Sequence, residues 1–270
     1  MENFENKVVV ITGAGSGIGR ALALEFRKLG AKLALNDLSE PTLLATVAML
    51  GESGGIYHRA FDVANRMDFY QFADDVAAHY GRVDVVINNA GVAISKLTAA
   101  EVSIEDYEWI LGVNLWAMMY GSLAFLPHLR KQKESSIVNL SSVFGIHGIP
   151  YQAAYCTTKF GIRGFTESMA LEEQMNETGV TVTSVHPGGI KTNIARSSRY
   201  AGKDEKSTQQ FEKAFITTPE KAAQAIIKAI RRKKTRVLVG PDAKVLYFLN
   251  RLAPRFTTWY LLRFARKVAA

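Results

Sequence analysis

KVVVITGAGSGIGRALALEFRKLG, residues 7–30, is the stretch that decides the fold. Its opening, KVVVIT (7–12), is a β-branched apolar run without polar alternation, the pattern of a strand covered on both faces. Its end, GIGRALALEFRKLG (17–30), sets Ile18, Leu22, Phe26 and Leu29 on one helical face and stops at Gly30. Between them lies TGAGSGIG (12–19). Gly13 permits a tight turn. Gly17 and Gly19, lacking Cβ, let backbone and helix approach a ligand closely. The helix N-terminus adds free N–H groups and a positive dipole end. Glycine turns between strand and helix are common, so the loop alone says little. In this context it predicts a dinucleotide site, with Gly13, Ser16, Gly17, Ile18 and Gly19 around a pyrophosphate.

Outward from that unit, apolar runs and amphipathic stretches alternate. AKLALND (31–37), GIYHRAFD (55–62), VDVVINNAG (83–91), SIVNLSS (136–142) and GVTVTSVHPG (179–188) read as strands. Helices are expected from Pro41, over 66–80, over about 104–129, and from Tyr151 to about Met175. Such alternation predicts an α/β protein: a single-domain Rossmann fold, a doubly wound parallel sheet with helices on both faces. Residues 1–240 form the expected domain, with a polar substrate lid over 190–218, and 241–270 form a basic extension.

Asp37 ends the second strand, where a carboxylate can accept bonds from both ribose hydroxyls and repel a 2′-phosphate. No arginine adjoins it in sequence and Ser16 is not basic, so NAD is expected and NADP disfavoured. The other reading is a strand-end acid capping the helix near Pro41. Asp62, ending the third strand, can face the adenine amino group or simply shape a turn.

Tyr155 and Lys159 are i and i+4 on one helix, and Ser142 ends the strand before it. An ammonium beside a phenol can stabilise the phenolate and lower a pKa near 10. Such a tyrosine can exchange a proton with an alcohol or carbonyl, and the serine hydroxyl can meet the same oxygen. The Tyr–Lys spacing alone occurs often by chance.

With these residues in place the chain resembles the short-chain dehydrogenase/reductase family, in its roughly 250-residue subunit form. The resemblance runs from residue 5 to about 240. It rests on TGAGSGIG (12–19), Asp62, NNAG (88–91), Asn114, Ser142, YCTTK (155–159) and HPGGIKT (186–192). It implies that Asn114, Ser142, Tyr155 and Lys159 are catalytic. Tyr155 would be the acid/base and Ser142 would hold the substrate oxygen. Lys159 would contact the nicotinamide ribose, and Asn114 would hold a water; bonding to helix backbone is the plainer reading of Asn114. Asp62, Val63, Asn89, Ala90 and Gly91 would line the cofactor, and Asn88 would steady the sheet. Pro187, Gly188, Ile190 and Thr192 would pack on the nicotinamide. The family also implies a homodimer or homotetramer through the helices at 104–129 and 152–175, where Trp109, Leu115, Trp116 and Met119 stand.

Ser141 reads as structural, Cys156 as a small helix residue and His186 as packing. Ser142, Phe144, His147 and Tyr151 are the expected substrate contacts, within a mostly apolar wall. Arg196 and Arg199 read as solvated lid charges. The substrate class is therefore a secondary alcohol or ketone, apolar, aliphatic, alicyclic, steroid-like or lipid-derived. A non-catalytic nucleotide sensor and an NADP-dependent carbonyl reductase are the alternatives.

A single cysteine, Cys156, rules out an internal disulfide and Cys-cluster metal sites. No metal is expected. The acidic, polar start MENFENK lacks the pattern of a signal peptide, and no long uninterrupted apolar run is present. A cytoplasmic enzyme is the expectation. The net charge of +8 is uneven: from Lys228 onward there are twelve Lys or Arg and one acid, Asp242. That segment carries +11, leaving −3 for residues 1–227. Nucleic acid is therefore not the expected partner. In KVLYFLNRLAPRFTTWYLLRFARKVAA (244–270), Leu246, Leu249 and Leu252 recur at helical spacing and Pro254 breaks the pattern. The sequence leaves two readings: peripheral membrane contact, or packing on protein.

Overall fold

The computed structural model describes residues 1, 3–51, 55–94, 97–194, 196–200 and 215–269. Most of the expected lid, including 201–214, lies outside the described residues. The chain runs β1 (Val8–Thr12), α1 (Gly17–Lys28), β2 (Lys32–Asp37), α2 (Glu40–Met49), β3 (Ile56–Ala60), α3 (Arg66–Tyr80) and β4 (Val85–Asn88). It continues with α4 (Ile104–Ile110), a π-helical turn (Leu111–Trp116), α5 (Ala117–Leu129), β5 (Ser135–Leu140), a 3₁₀ turn (Val143–Gly145), α6 (Ala153–Met175) and β6 (Val180–Pro187). The end is α7 (Pro219–Arg231), β7 (Arg236–Val239), α8 (Pro241–Leu252) and α9 (Pro254–Ala269).

The seven strands form one parallel sheet in the order β3-β2-β1-β4-β5-β6-β7. The order reverses between β1 and β4, where Val9, Val10 and Ile11 pair with Val85, Val86 and Ile87. The loops leaving those two strands diverge to opposite faces and open a crevice at their carboxyl ends.

Because side chains alternate along a strand, β1 feeds two cores. Val9 and Ile11 pack with Leu22, Phe26, Ile226 and Ile230 of α1 and α7. Val8 and Val10 pack with Phe69, Phe72, Phe125 and Met169 of α3, α5 and α6. The 104–129 helix is long and apolar enough to cross a bilayer, but half of its most apolar window is buried inside the fold.

Helix α6 begins at Ala153 and not at the expected Tyr151, because Tyr151 takes a left-handed conformation (φ 63°) that breaks the helical path. Residues 219–239, not among the elements expected above, hold α7 and β7. Their signals are local: the Thr218 side chain accepts from the Lys221 N–H, Pro219 opens the helix, and Ala222, Ala223, Ile226, Ile227 and Ile230 bury one face.

The extension folds back on the body. Ala243 and Thr257 are buried, the Arg236 guanidinium donates to the Tyr247 hydroxyl (3.1 Å), and Asn250 Nδ2 donates to the Ile146 carbonyl (3.3 Å). Packing of this segment on its own chain is thus observed. Pro254 breaks the helical pattern as expected, and is the first residue of α9.

Candidate active site

The glycine loop closes on itself so tightly that side chains are excluded. At Gly13 (φ 65°) a Cβ would lie 2.9 Å from Ala90 Cα, and at Gly19 it would lie 2.0 Å from the Gly13 carbonyl oxygen. At Gly17 (φ 52°) the near neighbour is the Thr192 methyl, 3.1 Å from such a Cβ, so the strip after β6 reaches the loop. Ser16 is the N-cap residue of α1 and makes no side-chain cap bond, leaving the helix N-terminus facing the crevice. This shape suits a pyrophosphate, and the fit is that of a dinucleotide cradle.

Asp37 locks onto this loop. Its Oδ2 accepts from the Gly15 N–H (2.8 Å) and its Oδ1 from the Ser39 N–H (3.0 Å). Arg20, absent from the sequence-based site, donates to the Gly15 carbonyl and to Thr46 Oγ1 (2.9 Å for the latter). Asp62 is exposed and its Oδ1 accepts from the Ala64 N–H (2.9 Å), the turn role that was the plainer of its two readings. Val63 beside it is buried.

The loop after β4 is tied to β1. Thr12 Oγ1 accepts from the N–H groups of Asn89 and Ala90, both at 3.1 Å, and Asn89 Nδ2 donates to the Thr12 and Gly13 carbonyls. Asn88 turns inward, donating to Ser122 Oγ (3.1 Å) and Asn139 Oδ1 (2.8 Å) between the central strands.

Ser142, Tyr155, Lys159 and Asn114 converge at the end of β5. The 3₁₀ turn after β5 is capped by Ser142 Oγ, which accepts from the Phe144 N–H (3.1 Å) and also hydrogen bonds the Tyr155 phenol. Lys159 is buried; its Nζ lies 5.3 Å from the Tyr155 ring centroid and donates to the Leu140 carbonyl (2.9 Å). Gly91 fits between Lys159 and Asn114: a Cβ there would meet Asn114 Oδ1 at 3.3 Å and Lys159 Nζ at 3.6 Å. Asn114 lies in the π-helical turn, an irregularity common at functional sites. Its side chain holds Val92 through both backbone groups (2.8 and 2.9 Å) and reaches Thr158 Oγ1 at 3.2 Å. The backbone it bonds is therefore that of the loop after β4 and not that of its own helix.

Burial dominates the electrostatics. It pushes the Tyr155 phenol up, against the downward pull of the Ser142 hydrogen bond, and holds Lys159 down at about 8. The upward shift of Tyr155 runs against the expectation from its spacing to Lys159. The reason is that desolvation of the phenol outweighs every other influence, while the ammonium faces the Leu140 carbonyl and the ring. Each charged form alone is penalised, whereas phenolate and ammonium together would offset that penalty by mutual attraction.

Other predicted residues divide. Phe144 meets the Tyr155 ring edge-on (6.1 Å). Val92 and Tyr155 pack with Ile94, Val102, Ile110 and Ala154, an apolar wall beside the phenol. His147 meets the extension: its Nδ1 lies 2.7 Å from Asn250 Oδ1, and it lines a cleft of about 360 Å³ with Cys156, Thr258 and Leu261. Tyr151 is exposed. Ile190 is bridged to Thr217, and the Gly188–Gly189 turn after Pro187 is held by Asp242, whose Oδ2 accepts from the Gly189 N–H (2.6 Å). Ser141 is structural, donating to the Lys159 carbonyl (2.7 Å). His186 contributes more than packing: its Nδ1 lies 3.0 Å from the Ser142 carbonyl oxygen. Arg199 is no solvated charge. It pairs with buried Asp106 and lies 3.6 Å above the Trp109 ring, while Tyr200 donates to the same carboxylate (2.7 Å). No group of three or more His, Cys, Asp or Glu that could hold a metal occurs among the described residues.

A dinucleotide cradle at a sheet switch point, with a serine, tyrosine and lysine at its mouth, defines the class as a Rossmann-type oxidoreductase. Comparison with known proteins agrees. The family model described as short chain dehydrogenase matches residues 7–202. SadH of Mycobacterium tuberculosis, named as an oxidoreductase, is 42% identical over 256 residues, covering 93% of this chain and 92% of SadH. FabG of Thermotoga maritima, named 3-oxoacyl-(acyl-carrier-protein) reductase, is 33% identical over 224 residues, covering 83% of this chain and 89% of FabG. A short chain dehydrogenase/reductase from Burkholderia phymatum, solved in complex with NAD, superposes with a TM-score of 0.86 at 28% identity, covering 95% and 96% of the two chains. The chain belongs to the short-chain dehydrogenase/reductase family.

Proposed function

We propose that this chain interconverts a secondary alcohol and its ketone, with NAD(H) as the preferred cofactor and an apolar substrate. The carrying observation is the convergence of Ser142, Tyr155 and Lys159 beside the apolar wall of Val92, Ile94 and Ile110. When bound, the nicotinamide cofactor accepts or supplies the hydride. Gly13, Gly17 and Gly19 give its phosphates room, and Asp37 meets the adenosine ribose. Tyr155 takes or gives the proton at the substrate oxygen, and the Ser142 hydroxyl orients that oxygen. Lys159 stabilises the phenolate as it forms; the charge pair then relieves the desolvation of both partners. Asn114 holds the loop that carries Gly91 against this group. Asp37 and the engagement of Arg20 with Gly15 and Thr46 support NAD over NADP. The apolar wall supports an aliphatic, alicyclic or lipid-derived substrate.

The test is a panel of secondary alcohols and ketones, read by reduced-nicotinamide absorbance with each cofactor. Turnover of apolar members with NAD(H) is expected. No turnover on any member, or efficiency with NADP ten times that with NAD, overturns the assignment.

A further inference from the structure

The two C-terminal helices each bury one side and leave the other bare. In α8, Val245, Phe248 and Leu252 are exposed, Leu252 by 80%, and Lys244 and Arg251 are exposed on the same side. These residues fall on one stripe at 100° per residue. In α9, Ala253 before it, then Thr257, Leu261 and Ala265 face the body at four-residue spacing. Phe256, Trp259, Tyr260 and Leu262 face out, each about half exposed, with Arg255, Arg263 and Arg266 exposed among them. Phe256 and Trp259 lie 5.7 Å apart, and the Arg263 guanidinium is 5.9 Å from the Trp259 ring.

The charge on this face has one sign. The only acid of 241–270 is Asp242, and it is turned inward to the Gly189 N–H. We propose that the outward stripes of α8 and α9 are a docking surface for an anionic lipid bilayer. Two copies of such a face brought together would set arginine against arginine, with Asp242 turned inward in each. Nucleic acid would satisfy the arginines but has no use for Val245, Phe248, Leu252 and Leu262. A bilayer interface takes all three components: aliphatic side chains enter the acyl boundary, Trp and Tyr sit at the headgroups, and bases meet anionic phosphates. The surface adjoins the cleft lined by His147, Cys156 and Leu261, so docking would bring that side of the enzyme to the lipid.

The experiment is co-sedimentation of the full chain, without substrate, on vesicles of equal parts phosphatidylcholine and phosphatidylglycerol. Sedimentation in low salt is expected, with loss toward 1 M salt, where the screening length falls to about 3 Å. Vesicles of phosphatidylcholine alone should bind at least about tenfold more weakly. Phe256→Glu with Trp259→Glu should abolish binding. Arg255→Gln with Arg263→Gln and Arg266→Gln should weaken it about a hundredfold, at about fivefold per base. Both variants change exposed side chains and should keep soluble turnover; if the first fails to fold, the second carries the test. No sedimentation at low salt, or equal binding by the arginine variant, overturns the proposal. So does binding to duplex DNA that survives the aromatic substitutions. A fall in oligomeric state on those substitutions would identify a self-interface and equally refute it. None of these readouts depends on which substrate the enzyme turns over.

Discussion

His186 Nδ1 lies 3.0 Å from the carbonyl oxygen of Ser142, and its Nε2 lies 3.0 Å from the Ser184 hydroxyl. The ring is fully buried, and burial holds its pKa down at about 4. It is therefore neutral in the folded enzyme and fixes the backbone of the residue whose side chain caps the 3₁₀ turn. In the unfolded chain histidine titrates near 6.5. The unfolded state thus binds the extra proton between those values, so stability is full above about pH 6.5 and falls as pH drops toward 4. The loss should approach about 3 kcal/mol, read as urea midpoint against pH. His186→Gln should flatten that slope. An unchanged slope would mean that another group sets the acid limit.

Tyr155→Phe keeps the ring that Phe144 and Lys159 pack against and removes only the hydroxyl. NAD affinity should stay within about twofold, while kcat falls by about 10²–10⁴, the range of acid–base catalysis. Lys159→Met should lose turnover and also weaken NAD binding. It has a second signature. The folded pKa of Lys159, about 8, lies below the unfolded value near 10.4. Between these values the native state has already shed its proton, so wild-type stability should gain on Lys159→Met as pH rises from 8 toward 10.4. Parallel pH–stability curves would refute the buried, charged lysine.

The cofactor assignment rests on Asp37. Because its carboxylate also holds the Gly15 and Ser39 N–H groups, Asp37→Ala should weaken both cofactors. The informative quantity is the ratio of kcat/KM for NAD over NADP, which should fall by about tenfold or more, the worth of about 1.4 kcal/mol. A ratio unmoved by the substitution would assign Asp37 to loop structure alone.

What the sequence made legible follows from distance along the chain. The glycine loop, the Tyr155–Lys159 pair and the alternation of strands and helices are local patterns, and all three stand where the pattern put them. The tertiary partners were hidden. His147 reads as a substrate contact, and nothing local announces its partner Asn250, 103 positions away. Asp242 reads as a lone acid in a basic tail until it meets Gly189. His186 gave one usable hint: a histidine in an otherwise apolar and hydroxylic strand must find polar partners if buried. Tyr155 shows the other limit. Spacing reveals which charges are near, whereas the shift depends on how much protein surrounds them.

Arg199 is tied to α4 through Asp106 and Trp109, with a backbone bridge from Arg199 to Ile94. The Tyr200 and Arg199 hydrogen bonds hold the Asp106 carboxyl below its ordinary range. This anchoring is present above the usual carboxylate pKa and is lost as pH falls through the depressed value. Asp106→Asn should raise KM for the substrate several-fold with NAD affinity unchanged, because the clamp borders the apolar wall and not the phosphate loop. An equal loss of NAD affinity would place the defect in the fold.

Self-association is the remaining expectation. Trp116 and Leu123 of the 104–129 helix and Phe160, Leu171 and Met175 of α6 are exposed in the single chain, and Trp116 stacks on Tyr120 at 6.0 Å. Trp109, by contrast, is covered by Arg199, and Leu115 and Met119 are partly buried, so Trp116 is the member of that group most free for a partner. Side chains of this size left in water on two long helices favour burial against another copy, at about 25 cal/mol per Å² of apolar surface removed. Light scattering at micromolar concentration should give a dimer or tetramer. Trp116→Glu with Leu123→Glu should shift it to smaller species, since each charge would have to be desolvated at the contact. A monomeric wild type, or an assembly indifferent to both substitutions, would show that these helices meet solvent and not a second chain.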